Sequence, residues 1–446
     1  MRKATVFTII ICLFVLTPLT VNSQPPPPRK KVPVLKPDFA LTAFAGDAKL
    51  SAVYKMIFIP EEQILTVSKT FPITCRFWDL SSGEEVRNFK LPRSAESEKV
   101  NFSLLDSFSF ADKQYFAAPK MSSTFRSKSI RLWNMLTGEY IRDITSDRYH
   151  FNRFSFSPDG KFLASKSTED HIDFWDPHIA QRLHGHSYTG LHESFSFSPD
   201  GKFFAIVHSP FGGHPANITV SNYTRKGLET ICRVVPSPNE YDSCRIRQCV
   251  FSPDEDRIIA LVKRSNGVKF KHPADIPENS KVTTIELWDL RGKLLRSLRL
   301  PIGQHANHIV LSPDGRMIAA PITGKMGAMT NTVQLWDTDT GKLIRTLSSP
   351  SGHISSVVFS PNGKGIVSTD AYSADQVPLW DAQTGKLIAL LDNGVDIQSA
   401  VGISNIMFSP DGRFIAGTLR AVSLPIVWKS PSRVHETRAG RVNLRF

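Results

Sequence analysis

After the first 23 residues, the apolar residues of this chain fall in short runs or alternate with polar residues, without the 3.6-residue spacing of an amphipathic helix. One pattern recurs: an apolar stretch, a Ser-Pro-Asp-Gly turn, and a second apolar stretch. Clear copies lie at 154–164, 195–205, 250–260, 311–320, 358–367 and 407–416, with weaker copies at 58–65 and 108–117. Period-two alternation broken by Asp-Gly or Asn-Gly turns predicts antiparallel β-hairpins.

A second phrase follows these hairpins and ends in Trp-Asp or a close variant. It contains all seven tryptophans of the chain: Trp78, Trp133, Trp175, Trp288, Trp336, Trp380 and Trp428. Their spacings are 42 to 55 residues, except for one of 113 that equals about two periods. Residues 195–229 supply the missing copy, which has no tryptophan. The chain therefore contains eight copies.

Each copy predicts four short antiparallel strands, because the Trp-Asp phrase and its Gly turn add a second hairpin to the first. A unit of this size cannot bury both of its faces alone, so the copies must stack around an axis. The sequence therefore predicts an all-β fold, an eight-bladed β-propeller, with seven blades and one copy outside the ring as the alternative. The alternating segment 38–44 is predicted to pair with the last copy and close the ring, which removes exposed strand edges.

These turns and spacings resemble the WD-repeat (G-beta type) β-propeller family over residues 38–429, with the seven tryptophans as structural anchors of the repeats. The Gly-His pair common in that family occurs clearly at Gly185-His186 and at Gly352-His353. Departures such as Ser127 in place of an aspartate before Trp133 predict an incomplete ladder of Asp, His, Ser/Thr and Trp side chains. The resemblance implies a platform for protein partners.

The two ends of the chain differ from the repeats. A short basic start at Arg2 and Lys3, followed by an apolar run, predicts a signal peptide over 1–23 and a secreted or periplasmic protein. An uncleaved membrane anchor is the alternative, since the run is nearly long enough to span a bilayer. Residues 24–37 form a proline-rich basic spacer, and residues 430–446 form a basic tail. No membrane span is expected after removal of the signal peptide.

The charge balance is basic, with 54 Lys+Arg against 41 Asp+Glu in 446 residues and a formal charge of +13. An apolar content of 41% excludes a disordered chain and, without further long apolar runs, a multi-pass membrane protein. The predicted loops between second and third strands hold twelve basic and six acidic residues. The longest of them are 118–128 and 263–283, and such loops often carry function.

The basic loops suggest an acidic protein partner, and a solvated basic rim is the alternative. The candidate partner-binding residues are Lys120, Arg126, Lys128, Lys263, Arg264, Lys269 and Lys271. Nucleic acid is not expected as a partner of an exported chain.

Cysteine and histidine leave two questions open. Cys75, Cys232, Cys244 and Cys249 follow the signal segment, and disulfides among the last three or buried thiols both fit the pattern. Eight of the 13 histidines lie between His150 and His214. They could bind a metal or respond to pH, but surface and structural roles are favoured because no acidic residue stands at ligand spacing.

The chain carries no nucleophile elbow, HExxH motif or phosphate-binding loop, so we expect neither catalysis nor a cofactor. The predicted function is a non-enzymatic, exported scaffold that binds proteins through a basic, loop-rich face. The alternatives are an enzyme or ligand site in the central channel, and a structural component of an envelope or matrix assembly.

Overall fold

The computed structural model describes most of the repeat region and little of the two ends. The described residues are 33–36, 39–40, 53–59, 63–68, 74–90, 109–111, 115–119, 128–135, 137–167, 169, 171–187, 192–210, 215–236, 243–265, 281–324, 329–350, 354–370, 376–392, 402–419, 424–431 and 434. The predicted signal peptide, most of the spacer and most of the basic tail lie outside them.

All described secondary-structure elements are strands, and they form eight four-stranded blades. The strands of blades 1 to 4 are Val53–Ile59, Gln63–Ser68, Thr74–Asp79 and Glu85–Lys90; Ser109–Ala111, Tyr115–Pro119, Ser129–Asn134 and Tyr140–Thr145; Phe151–Phe156, Leu163–Ser167, His171–Asp176 and Gln181–Ser187; and His192–Phe197, Phe203–His208, Asn217–Thr224 and Gly227–Val234.

Blade 6 has a first strand broken into two short pieces, and blade 8 contributes three consecutive strands. The strands of blades 5 to 8 are Ser243–Phe251, Arg257–Ser265, Lys281–Asp289 and Leu294–Arg299; His305–Ala306 with Val310–Leu311, Met317–Thr323, Met329–Asp337 and Leu343–Ser348; Ile354–Phe359, Gly365–Asp370, Gln376–Asp381 and Leu387–Asp392; and Ile403–Phe408, Phe414–Leu419 and Leu424–Lys429.

The prediction of eight blades closed by an N-terminal strand is confirmed. Strand Phe39–Ala40 pairs antiparallel with Leu424–Lys429 and completes blade 8. Blades 8 and 1 then pack together through residues such as Val427 and Trp78. A second N-terminal strand, Val34–Leu35, adds in parallel to the outer edge of blade 7 and was not predicted. One short segment therefore ties the last two blades together.

Within each blade, consecutive strands are neighbours in the sheet, and we number them first to fourth in chain order. First strands contact each other between blades 2 and 3, 4 and 5, 6 and 7, and 7 and 8, which places the first strands innermost, around the central channel. The fourth strands lie at the outer rim, where exposed and half-buried residues alternate, as in Glu85–Lys90. This order determines which residues can reach the channel.

The core consists of eight apolar clusters, and each lies between two successive blades. Every tryptophan is buried and belongs to the cluster shared with the preceding blade, as Trp288 packs against blade 4 and Trp336 against blade 5. Burial of these large rings contributes apolar stabilisation to seven of the eight interfaces.

Blade 4 has no tryptophan, and aromatic rings fill that space instead. Ser221 occupies the register position that tryptophan holds elsewhere, opposite Phe204. The ring centroid of Phe204 lies 4.8 Å from that of Phe174 in blade 3, 5.4 Å from Phe195 and 4.9 Å from Phe197. The copy that lost its tryptophan therefore keeps a packed interface.

The recurring turns follow from local hydrogen bonds. In blade 3, the Ser157 hydroxyl donates to Asp159 Oδ1 at 2.7 Å and accepts from the Phe162 backbone N–H at 3.0 Å. Gly160 follows with φ of 69°, a left-handed conformation that glycine adopts at low cost. In the Trp-Asp turn of blade 6, Asp337 Oδ1 accepts from the backbone of Asp339 and Thr340 at 3.1 and 2.7 Å.

In blades 1 and 3 the indole donates to a hydroxyl group at one second-strand position, whereas Trp428 of blade 8 donates to the Asp392 backbone oxygen. Trp78 Nε1 donates to Thr66 Oγ1, and Trp175 Nε1 donates to Ser165 Oγ, both at 2.8 Å. In blades 2, 5 and 6 the corresponding residues are Ala118, Ala260 and Ala320. The buried indole nitrogens of those blades have no partner among the described residues: Trp133, Trp288 and Trp336. The ladder of polar side chains is therefore incomplete in these blades because alanine replaces the hydroxyl residue.

We predict that Ala260→Ser gives Trp288 Nε1 an acceptor and raises the free energy of unfolding by about 0.5–1.5 kcal/mol. Urea unfolding followed by tryptophan fluorescence measures this difference. The matched reverse change, Ser165→Ala, removes the acceptor of Trp175 and should lower the free energy of unfolding by about 1–3 kcal/mol. Unchanged midpoints for both variants would contradict this role of the hydroxyl.

In blade 5, Glu255 takes the place of the glycine in the Ser-Pro-Asp-Gly turn and has a φ of 60°. Its carboxylate accepts a hydrogen bond from the backbone N–H of Asp200 in blade 4. Burial, and then a hydrogen bond to the Asp200 carboxylate, raise the pKa of Glu255 to about 7. Burial alone would raise the pKa of Asp200, but hydrogen bonds from Glu255 and Lys202 hold that pKa at about 2. Asp200 is therefore ionised at neutral pH, whereas Glu255 keeps its proton to a higher pH than an ordinary carboxyl group.

We predict that Glu255→Gly stabilises the protein by about 1 kcal/mol at neutral pH, because glycine removes the left-handed strain. The folded state holds the Glu255 proton more tightly than the unfolded state, whose pKa is near 4.5. This tighter proton binding stabilises the folded state. The stabilisation is fully present below about pH 4.5 and is lost as the pH rises through about 7. The gain from Glu255→Gly should therefore grow over this range, as urea unfolding at several pH values can measure. Glu255→Gln also removes the titrating carboxyl group, so its stability relative to the unchanged protein should rise over the same pH range. Because it keeps a side chain at the strained position, it should lack the pH-independent gain.

Candidate functional site

The strand order divides the connections between two faces. One face, which we call the loop face, carries the connections from second to third strands and from each blade to the next. Second and fourth strands end there, and third and first strands begin there. The Ser-Pro-Asp-Gly and Trp-Asp turns lie on the opposite face, which we call the turn face. The turns are short and engaged in their own hydrogen bonds, so variable side chains concentrate on the loop face.

The structure describes three of the seven candidate partner-binding residues: Lys128, Lys263 and Arg264. Lys120, Arg126, Lys269 and Lys271 lie outside the described residues. The connection expected over 263–283 is shorter, because Arg257–Ser265 and Lys281–Asp289 stay paired up to Ser265 and Lys281. The β-branched residues Val282 and Thr283 favour this extension of the hairpin.

Lys128 and Lys263 lie on the loop face. Lys128 is exposed at the start of the third strand of blade 2, and its Nζ lies 3.4 Å from the backbone oxygen of Asp147. Lys263 Nζ donates to Asn307 Oδ1 at 3.0 Å and so connects blade 5 with the broken first strand of blade 6. Both side chains place positive charge beside the blade-to-blade connections.

Arg264 has a different environment from the other two. Its side chain is 6% exposed, and Nη2 lies 2.5 Å from Oε1 of Glu286, whose side chain is 3% exposed. Nη1 donates to the Thr284 hydroxyl at 2.5 Å. Arg264 pairs in register with Cys244, which belongs to the apolar cluster between blades 4 and 5. Arg264 is therefore part of an ion pair inside an inter-blade interface.

Sequence reasoning missed three exposed cations on the innermost strands, which we call the channel arginines: Arg153, Arg245 and Arg247. In blade 5 the buried residues Cys244 and Ile246 alternate with Arg245 and Arg247. This alternation was the available signal, but only the strand order shows that these residues border the channel.

The register of the first strands shifts beside these arginines. In blade 3 the shift leaves Asn152 without a partner residue next to Arg153, and in blade 5 it leaves Arg247 itself unpaired. Such a β-bulge redirects side chains and interrupts the ladder. The bulges therefore help to turn arginines out of the packed interfaces.

The histidine-rich stretch 150–214 is dispersed over several strands. The described histidines have different partners: His171 with Ser187, His178 with Tyr115, His184 with the backbone oxygen of Thr224, and His208 with Thr219. Burial lowers the pKa of His184 and His186. Within the described part of the chain, no group of three or more His, Cys, Asp or Glu side chains could hold a metal ion.

The four described cysteines are buried thiols without disulfide bonds: Cys75, Cys232, Cys244 and Cys249. Burial raises the pKa of the Cys249 thiol to about 12 and that of Cys244 to about 11. Such thiols are protonated and poorly nucleophilic at neutral pH. These cysteines therefore serve as apolar packing groups in this structure.

Across the described residues, we find no helix with the length and hydropathy needed to cross a membrane.

One part of the repeat region matches a known family. Residues 341–381 match the family described as WD domain, G-beta repeat. The match runs from the Trp-Asp turn of blade 6 to the third strand of blade 7 and includes Trp380. No curated protein matches the chain. The matched repeat and the eight four-stranded blades support the WD-repeat propeller family.

The two adjacent cations on the second strand of blade 5 should differ sharply on substitution. Arg264→Ala leaves Glu286 buried without its partner and should lower the free energy of unfolding by about 3–5 kcal/mol. Lys263→Ala, its neighbour on the loop face, should change the free energy by less than about 0.5 kcal/mol. Urea unfolding of both variants measures the contrast. Equal effects would contradict a buried ion pair, and Arg264→Leu combined with Glu286→Leu should recover most of the loss.

Proposed function

We propose that this chain is an exported, non-enzymatic protein-binding platform whose loop face binds an acidic protein partner. The observation that carries the proposal is the group of cations at the loop-face side of blades 2 to 5. The described members are Lys128, Arg148, Arg153, Lys166, Arg245, Arg247, Lys263 and Lys281. Acidic side chains there, such as Asp147 and Glu169, are fewer.

Physical chemistry supports an acidic partner. Charges of one sign on one face raise the rate of encounter with an oppositely charged surface and disfavour partners of like charge. The sequence adds four cations to the connections between second and third strands of blades 2 and 5: Lys120, Arg126, Lys269 and Lys271. The WD-repeat match supports a platform, since propellers of this family commonly serve as protein-interaction scaffolds.

Export is part of the same proposal. The basic start and apolar run of residues 1–23 support a signal peptide. The partner is therefore sought outside the cytoplasm, in the secreted or periplasmic fraction.

Affinity capture with residues 24–446 should recover a partner from that fraction at low salt and lose it at about 0.5 M salt, because exposed charges are screened. The variant Lys128→Glu/Lys263→Glu should weaken binding to the recovered partner by about tenfold or more. Arg264 is left unchanged in this variant, because its substitution would test folding instead of binding.

The matched control changes two exposed lysines of the turn face, Lys293→Glu and Lys342→Glu, which alter the net charge equally. Binding by the control should stay within about twofold of the unchanged protein. Equal losses in both variants would assign the effect to net charge. Unchanged binding by the loop-face variant would place the partner elsewhere on the propeller.

A further inference from the structure

Arg153 lies where three other blades place small polar side chains. At the position three residues before the final phenylalanine of the first strand, blade 3 has Arg153, whereas blades 4, 7 and 8 have Ser194, Ser356 and Asn405. Blade 5 contributes Arg245 and Arg247 on a single strand. Glu193 of blade 4 is the acidic residue on the strand between them. The arginines of the described innermost strands therefore belong to two blades that flank a third, and Lys55 of blade 1 holds the same sequence position as Arg153.

Two of these arginines stand opposite another cation. Arg153 pairs in register with Lys166, and Arg245 pairs with Lys263. Like charges directly opposite each other on antiparallel strands destabilise the pair. This arrangement occurs twice, in both cases at the loop-face side of the channel. Both blades therefore present a pair of cations at the same side of the channel, where an anion would find positive charge on each.

The arginines are also held in place by their neighbours. Gln248 follows Arg247 and spans to blade 6, where its Nε2 donates to the Ile309 backbone oxygen at 3.0 Å. Its Oε1 accepts from the Ile309 backbone N–H at 2.7 Å. These two bonds bridge the broken first strand of blade 6 and anchor the bulge that carries Arg247. In blade 3, the Arg153 guanidinium lies 6.0 Å from the ring centroid of Phe195 in blade 4.

We propose that Arg153, Arg245 and Arg247 bind the carboxylates of an extended acidic peptide segment at the loop-face end of the central channel. The inference deepens the proposed function and rests on it, since it names the part of the acidic partner that is recognised. Guanidinium groups match carboxylates through two parallel hydrogen bonds. A single carboxylate cannot engage two blades separated by a third, whereas a segment with successive acidic residues can.

The test is fluorescence anisotropy with a labelled hexaglutamate peptide and the protein of residues 24–446. The variant Arg153→Gln/Arg245→Gln/Arg247→Gln should bind this peptide about tenfold more weakly or worse. The matched control Arg233→Gln/Arg291→Gln/Arg316→Gln removes three exposed arginines from the outer rim and turn face. Its affinity should stay within about twofold of the unchanged protein, because distant charges are screened.

A positioning variant extends the test. Gln248→Leu removes both bonds to Ile309 without changing any charge, and it should weaken hexaglutamate binding while the salt dependence of binding stays the same. Urea unfolding of each variant identifies any loss of folding. A folded channel variant that binds hexaglutamate as tightly as the control overturns the inference. Tighter binding of a sulfated oligosaccharide than of hexaglutamate, through the same arginines, overturns the peptide as ligand.

Failure of this inference is distinguishable from failure of the proposed function. If hexaglutamate does not bind but the captured partner still depends on Lys128 and Lys263, the platform stands and the channel site is wrong. If hexaglutamate binds through the channel arginines but no protein is captured at low salt, the channel site stands and the acidic protein partner is wrong.

Discussion

A four-stranded blade has two apolar faces and can cover them only with its neighbours, so the packing between blades is the constraint on which the propeller depends. Eight clusters lie between successive blades, and the last joins blade 8 to blade 1. The Phe39–Ala40 strand supports that final contact by completing blade 8. Loss of one interface would leave two apolar faces and their strand edges open to solvent.

This constraint explains how individual repeats can vary. Where Ser221 takes the place of a tryptophan, the rings around Phe204 restore the buried volume, because the interface requires filled space and not one residue type. Where Ala260 replaces a hydroxyl residue, Trp288 remains buried although its Nε1 has no described partner. Apolar burial therefore outweighs a single hydrogen bond in maintaining the repeat.

The same packing separates structural cations from cations that can bind a ligand. Arg264 and Lys263 are adjacent on one strand, but opposite strand faces place the first in an interface with Glu286 and the second on the loop face. Arg245 and Arg247 border the channel because their strand is innermost. Gln248 anchors the bulge at Arg247 through its two hydrogen bonds to Ile309 of blade 6. The binding surface thus consists of residues that the interfaces leave exposed.

The repeat unit, the eight copies and the closing strand were predictable from the chain because their chemistry is local. Ser157, Asp159 and Gly160 form a turn through contacts within a few residues, and the tryptophan spacing counts the units. The candidate site was less predictable. The burial of Arg264 and the exposure of Arg153 and Arg247 depend on which blade packs against each strand face. Those contacts join residues far apart in the chain, so they arise only when the ring has closed.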